Sequence, residues 1–233
     1  MKLESDTITE NAAELQLIHD KFWSKGIIPM TAVNGFMRKV SESDRDNYIA
    51  LQIENPVNAS FLNREEYREF YWQDHNRLNA LMCTIVVDGK YVGYCGIKDV
   101  SKKFWEIAIE LFEKNQHKGI GKAAMTSFLN AIKERTGVDE FRIRIFADNY
   151  ASQALFEKLG AEPNGVSTIW LHDDELIREC EENNMHLINE QLCKVAEKFS
   201  VEPRRLLSHV LEYKLHWKYI SGKIADIDNL GRL

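Results

Sequence analysis

The chain has 233 residues, 44% hydrophobic and 28% charged, which suits a soluble globular protein with a sizeable core, one domain with decorations or at most two small ones. Its net charge of −6 argues against a nucleic-acid backbone as the main partner and is compatible with a cationic or amine substrate. Cys83, Cys95, Cys180 and Cys193 show no C-x-x-C spacing, the histidines show no metal-ligand spacing, and no apolar run approaches the ~20 residues of a membrane helix.

The expectation is therefore a cytoplasmic protein with free thiols, no metal and no membrane span, whose N-terminus does not read as a signal peptide. There is no internal repeat. Residues 8–25 read as a helix with Ala12, Leu15, Ile18, His19 and Phe22 on one face, ended by Gly26 and Pro29. Residues 35–40 read as the first strand. Ser41-Glu42-Ser43-Asp44 then supplies capping residues for a helix carrying Tyr48, Leu51 and Gln52, which Asn55-Pro56 breaks. Residues 63–66 open another helix, with Tyr67, Phe70 and Tyr71 among its aromatics. Asp88-Gly89 joins two β-rich runs, 81–87 and 91–97, as a hairpin.

Residues 105–112 alternate large apolar residues with Glu or Ala, as a strand does. The turn Gln116-His117-Lys118-Gly119-Ile120-Gly121 follows, and Ile120, Ala124, Phe128 and Ile132 then recur at helical spacing. A strand, a turn with two glycines and a helix start together make an anion cradle. The first helical amides lack intrahelical partners, the helix dipole favours negative charge there, and glycine lets a phosphate approach the backbone. Lys118 and Lys122 add positive charge, so a diphosphate is the natural guest. Taken alone, such a glycine pair serves turn geometry as readily. Neither a Walker loop nor a dinucleotide fingerprint fits the spacing.

Residues 141–146 alternate as a further strand and lead to Asp148-Asn149, either of which can cap a short helix. Ala151, Leu155 and Leu159 share a face of that helix, and Gly160 stops it. The Gln-x-x-Gly-x-Gly turn, followed about thirty residues later by Asn149-x-x-Ser152-x-x-Leu155-Phe156-x-Lys158-x-Gly160, resembles the acetyl-CoA-binding core of the GNAT N-acetyltransferase superfamily. The resemblance implies an α/β (α+β) fold: a mixed, mostly antiparallel central sheet flanked by helices. Its order is a strand, two helices, three antiparallel strands, helix, strand, helix, then two closing strands. Residues 165–171 and 209–217 are read as the closing pair. The helical stretch 173–205 between them, with Ile188, Leu192, Val195 and Phe199 on one stripe, reads as an insertion in the last hairpin or as a discrete C-terminal module. The first of these gives one domain: an extension over 1–30, a core over 35–171, the insertion and a final strand.

The resemblance also implies the chemistry. The main chain of Ile109, Glu110 and Leu111 would bond the pantetheine arm of the coenzyme as an added strand would. Gln116, His117, Lys118, Gly119, Ile120, Gly121 and Lys122 would hold its diphosphate. Asn149, Ser152, Phe156 and Lys158 complete the cofactor set, with Asn149 on the arm and Lys158 toward the phosphates. The implied activity is acetyl transfer from acetyl-CoA to a primary amine by direct attack in a ternary complex. A neutral amine needs a base: Glu106, thirteen residues before Gly119, matches a glutamate common in the family. Glu110 is the alternative at the same strand parity. Alternating glutamates in a strand also serve simply as a solvated face.

One residue departs from the pattern. Phe156 stands where many members place a tyrosine that protonates the leaving thiolate, and phenylalanine has no proton to give. This motivates an alternative: an acyl-CoA-binding regulatory or sensory module with a degenerate site. Glu65, Glu66, Glu69, Tyr67, Tyr71 and Trp72 are read either as an acidic, aromatic acceptor pocket or as a charged face and a core stripe. The acceptor is expected to be a small-molecule amine or a protein or peptide amine. The apolar stripe of the insertion is expected to cover that pocket or to support a homodimer.

Overall fold

The computed structural model describes residues 11–168 and 172–218. The described residues form two compact units: one holds 11–103 together with Ala108–Asp139, the other holds Phe104–Ile107 and the described part of Glu140–Trp217.

The first unit opens with α1 (Ala12–Trp23), whose N-terminal amide at Ala13 is capped by the Asn11 side chain at 2.9 Å. It continues through β1 (Ile28–Met30), β2 (Gly35–Lys39), α2 (Arg45–Ile53), α3 (Pro56–Phe61), α4 (Glu65–Asn76), β3 (Leu81–Val87), β4 (Lys90–Ile97), β5 (Trp105–Leu111) and α5 (Ile120–Thr136). The strands β1 to β4 pair antiparallel in sequence order. The Asp88-Gly89 turn joins β3 to β4 with φ of 49° and 73°, the doubly left-handed geometry that matches strand twist. Successive side chains of β3 serve opposite faces. Cys83 lies on the face toward Arg135 of α5, while the Thr84 hydroxyl donates to Asp44, just before α2, at 2.8 Å. On the α5 face, Phe22 and Phe128 meet edge to face with ring centroids 5.9 Å apart. On the other, Tyr48, Ile49 and Trp72 form a buried cluster with Tyr71 and Tyr94 against it.

The second unit contains the start of β5, then β6 (Glu140–Ile145), α6 (Tyr150–Lys158), β7 (Glu162–Ser167), α7 (Asp174–Asn183), α8 (Glu190–Phe199) and β8 (Val210–His216). β6 is parallel to β5 at Trp105↔Phe141 and Glu106↔Arg142, and antiparallel to β8 along its whole length. β7 closes the edge against β8. The hydrogen-bonded order is β1-β2-β3-β4-β5-β6-β8-β7, a mostly antiparallel eight-stranded sheet with flanking helices, as the sequence implied. α8 docks through Phe199, whose ring meets Tyr213 of β8 edge-on at 5.1 Å. α7 is fixed by Glu181, which is buried and accepts from Arg204 (2.8 Å) and Ser208 (2.9 Å).

Several elements differ from the sequence expectation. Asn55-Pro56 ends α2 but also starts α3: the Asn55 side chain caps Val57 at 2.9 Å and Pro56 occupies the first helical position, where its missing N–H costs nothing. Pro29 lies in β1 rather than only ending a helix, tolerated because β1 is an edge strand. The stretch 173–199 is two helices. Asn184 caps the end of α7, and the Asn189 side chain accepts from Leu192 N at 2.9 Å to start α8. The penultimate strand begins at Glu162, with an irregularity between Pro163 and Val166 where Gly165 has φ of 94°. Residues 169–171 of the expected strand, and 8–10 of the expected first helix, lie outside the described residues.

Candidate active site

In the first unit, β5 runs through Phe112 and a 3-10 turn, Glu113–Asn115, into the glycine turn. The Gln116 side-chain amide donates back to Leu111 O at 3.0 Å, tying the turn to the strand end. His117 and Gly119 adopt left-handed backbone with φ of 58° and 77°, and a Cβ placed on Gly119 would meet nothing within 4 Å. Gly119 is the N-cap of α5 and can offer no side-chain cap, so the first amides of the helix are left to other partners. α1, α3, α6, α7 and α8 are capped by Asn or Asp side chains, whereas α2, α4 and α5 have no side-chain cap. No acidic residue sits in the first turn of α5, whereas Lys122 lies in it and Lys118 just precedes it. Open space, unsatisfied donors and positive charge together fit an anion held by main chain. Ile120, Gly121 and Lys122 form the first turn of α5 itself.

Later along β5 of the same unit, Glu110 is half-buried. Its Oε2 accepts from Gln52 Nε2 of α2 at 2.6 Å and from the Tyr94 hydroxyl of β4 at 2.9 Å. Burial pushes its carboxyl pKa up, the two hydrogen bonds pull it down, and the nearby Glu54 carboxylate pushes it up again; the outcome is a raised value. Ile109 and Leu111 flank it on the strand. β4 approaches β5 closely here: Phe112 N donates to Val92 O at 3.1 Å, and a Cβ on Gly93 would sit 2.1 Å from Glu110 O. Below Tyr94 a cavity of about 130 Å³ is lined by Tyr48, Asp74, His75, Arg77, Met82, Tyr94, Lys98 and Ala108. His75 stacks on Tyr48 with centroids 4.1 Å apart, and burial lowers its pKa to about 4, so it is neutral.

None of the expected acceptor residues of this unit lines that cavity. Glu65 and Glu69 both pair with Arg45, Glu66 pairs with Arg64, and the buried Trp72 donates its indole N–H to Glu42 at 3.1 Å. Tyr67 packs edge-on against Phe61, while Tyr71 bonds Asn58. Gln52, Tyr94 and Asn58 were not picked out as site residues from sequence. The signal was present for one of them: Gln52 is a polar residue on the same helical face as Tyr48 and Leu51.

In the second unit, Glu106 is only 5% exposed and lies among guanidinium groups, with Arg144 Nη2 at 2.7 Å and Arg142 Nη2 at 3.7 Å from its Oε2. Asn149 caps α6, its Oδ1 accepting from Ser152 N at 3.0 Å. The buried face of α6 carries Gln153 and Phe156 rather than Ala151, and Phe156 is 2% exposed, whereas Lys158 is exposed in the last turn.

Residues 35–162 match the family model described as the acetyltransferase (GNAT) domain. The chain belongs to the GNAT acetyltransferase family. Its activity class is that of an N-acetyltransferase. Among curated proteins, none matches it. Solved structures share the fold. RimL, a ribosomal L7/L12 α-N-protein acetyltransferase in complex with coenzyme A, aligns with a TM-score of 0.59 at 17% identity, over 83% of this chain and 99% of that one. An acetyltransferase from Salmonella typhimurium that modifies the N-terminal serine of 50S subunit protein L7/L12 gives 0.55 at 18% identity, over 82% and 99%. The microcin C7 self-immunity acetyltransferase MccE, in complex with acetyl-CoA and AMP, gives 0.53 at 16%, over 80% and 93%. Among the described residues, no helix is long and apolar enough to cross a membrane, and no cluster of His, Cys, Asp and Glu could hold a metal.

Proposed function

We propose that this GNAT chain transfers the acetyl group of acetyl-CoA to the α-amine of a polypeptide, by direct attack of the amine in a ternary complex. Bound acetyl-CoA supplies an activated thioester. The observation that carries the reading is the left-handed Gly119 at an uncapped α5 N-terminus with open space before it. The amides from His117 to Lys122 would take the diphosphate, with Lys118 and Lys122 adding charge. By family resemblance, the main chain of Ile109–Leu111 and the motif residues Asn149, Ser152, Phe156 and Lys158 complete the coenzyme set. The α-amine acceptor is supported by the names of the RimL neighbours.

An α-ammonium must lose its proton before it can attack, and we assign that proton to Glu110 rather than Glu106. Burial raises the Glu110 pKa, and the donors that hold its carboxylate carry no charge, so no cation opposes proton uptake. Glu106 Oε2 is already taken up by Arg144 donors. Phe156 supplies no acid for the departing thiolate, so that proton comes from water. Phe156 also favours a second reading, an acyl-CoA sensor that binds without turnover. Calorimetric titration with acetyl-CoA tests the cradle, and release of free CoA thiol across a panel of peptides with differing first residues tests transfer. Binding without thiol release on any amine would select the sensor.

A further inference from the structure

Glu110 stands at the end of a directed chain of side chains. The Tyr71 hydroxyl on α4 donates to Asn58 Oδ1 on α3 at 3.2 Å. Asn58 Nδ2 donates to Gln52 Oε1 on α2 at 3.1 Å. Gln52 Nε2 then donates to Glu110 Oε2 at 2.6 Å. Tyr94 donates to the same oxygen. Among the described residues none bonds Glu110 Oε1, so both donors converge on one oxygen and leave the other to receive a proton.

A primary amide has one accepting and one donating end, and rotation exchanges them. With its accepting end occupied by Asn58, the Gln52 amide has only its donating end for Glu110. Asn58 is oriented in turn by the Tyr71 hydroxyl. We propose that Gln52 and Asn58 are positioning residues that fix the direction of this chain, so that a neutral donor always faces the Glu110 carboxylate and keeps it ionised despite burial. The inference rests on the assignment of Glu110 as the base.

The surroundings explain why such a device is needed. From α2, Glu54 and Tyr48 face Glu110, and from β4, Tyr91 and Tyr94 do; α3 and α4 contribute the neutral Asn58 and Tyr71. None of these is a cation. A lysine or arginine would hold the carboxylate ionised but also lower its basicity, whereas amide and phenol donors stabilise the charge more gently. If the Gln52 amide were reversed, its oxygen would face the carboxylate oxygen and push the proton back on.

The test follows the ionisation of Glu110 directly, by carbon-13 NMR of the full-length protein labelled at glutamate side-chain carboxyls, with the Glu110 signal assigned by its loss in Glu110→Gln. Gln52→Met keeps the length and removes the donor. Its titration midpoint should rise by about one pH unit, a tenfold change in the proton equilibrium. Asn58→Ala releases the Gln52 amide to rotate and should raise the midpoint by a smaller amount, with no further rise when it is added to Gln52→Met. That non-additivity is the mark of an effect routed through Gln52. Tyr94→Phe removes the second donor, should raise the midpoint independently, and stands in if Gln52→Met fails to fold. The acid limb of kcat/KM should move with each midpoint. An unmoved midpoint in Asn58→Ala, or a full additive rise in the double variant, overturns the directed chain even if Glu110→Gln abolishes turnover. Conversely, moved midpoints with undiminished turnover in Glu110→Gln would leave the chain standing and remove the base assignment.

Discussion

Gly119 and Gly137 bracket α5 and make a matched pair. Gly119 has φ of 77° at the N-cap and Gly137 has φ of 86° at the C-cap, and a Cβ on either would meet nothing within 4 Å. Replacing each by alanine therefore carries the same penalty, the left-handed backbone cost of roughly 1–2 kcal/mol for an L residue. For a chain of this size that corresponds to a fall in Tm of roughly 2–8 °C. The two substitutions part at the ligand. The Cβ at position 119 stands in the space the diphosphate would enter and adds to the cost of the left-handed turn. Displacing the anion from one or two backbone donors loses about 1.5–3 kcal/mol each, since these bonds are charge-assisted. Gly119→Ala is expected to weaken acetyl-CoA binding by about 10–100-fold or more, while Gly137→Ala leaves it unchanged. Calorimetric titration of both variants, with thermal unfolding to confirm equal destabilisation, is the assay. Equal Kd values for the two at equal stability would refute the cradle.

The two glutamates of β5 should respond oppositely to amide substitution. Glu110→Gln is expected to lower kcat by about 10²–10⁴-fold, the usual worth of a general base, with acetyl-CoA affinity intact. Glu106→Gln strands partly exposed guanidiniums and should cost about 2 kcal/mol of stability by denaturant titration while turnover of the folded enzyme persists. Because the folded-state pKa of Glu110 is raised, folding disfavours its charge, so this residue's contribution to stability is present at low pH and lost as pH rises through the folded value. Glu110→Gln should accordingly raise Tm at pH 7.5, with the gain shrinking toward pH 4. His75 has the other sign for a base. With its folded pKa lowered to about 4 and only 5% exposure, stability is full above its unfolded value and falls as the solution is acidified from about pH 6.5 to 4. The full loss is roughly 3 kcal/mol, and His75→Phe should remove that slope in urea titrations at stepped pH.

Local grammar made much of the fold legible. Asp88-Gly89 between β-rich runs, the alternation of β5 and the Ile120/Ala124/Phe128/Ile132 stripe each point to one element, and those elements formed with ends displaced by a residue or so. What was hidden were residues whose meaning depends on a distant partner. Asn55-Pro56 ends one helix and begins another, and only the Asn55 side chain turning to cap Val57 decides that both happen. The turn before α5 was legible because its left-handed geometry is written in glycine. The surroundings of the glutamates were not, since Gln52 and Glu110 are fifty-eight residues apart in sequence. Arg144 and Glu106 are thirty-eight apart. Parity on a strand says which side chains share a face, and nothing about which of them meets a cation.

That difference carries the proposed chemistry. β5 presents two glutamates of the same parity, and each meets a different class of donor. Arg144 and Arg142 neutralise Glu106, and a buried carboxylate so paired is a structural tie: protonating it would leave guanidinium charge without its partner. Glu110 is met by an amide and a phenol, neither of which carries charge, so proton uptake strands nothing. Burial then works in opposite directions for the two roles, tightening an ion pair and raising the proton affinity of a lone acid. In the proposed role Glu110 destabilises the fold at neutral pH, and the gain in Tm expected for Glu110→Gln measures that sacrifice directly. Were Glu110→Gln instead to lose stability at pH 7.5 by as much as Glu106→Gln does, the carboxylate would be a structural tie as well, and the distinction between the two would fail.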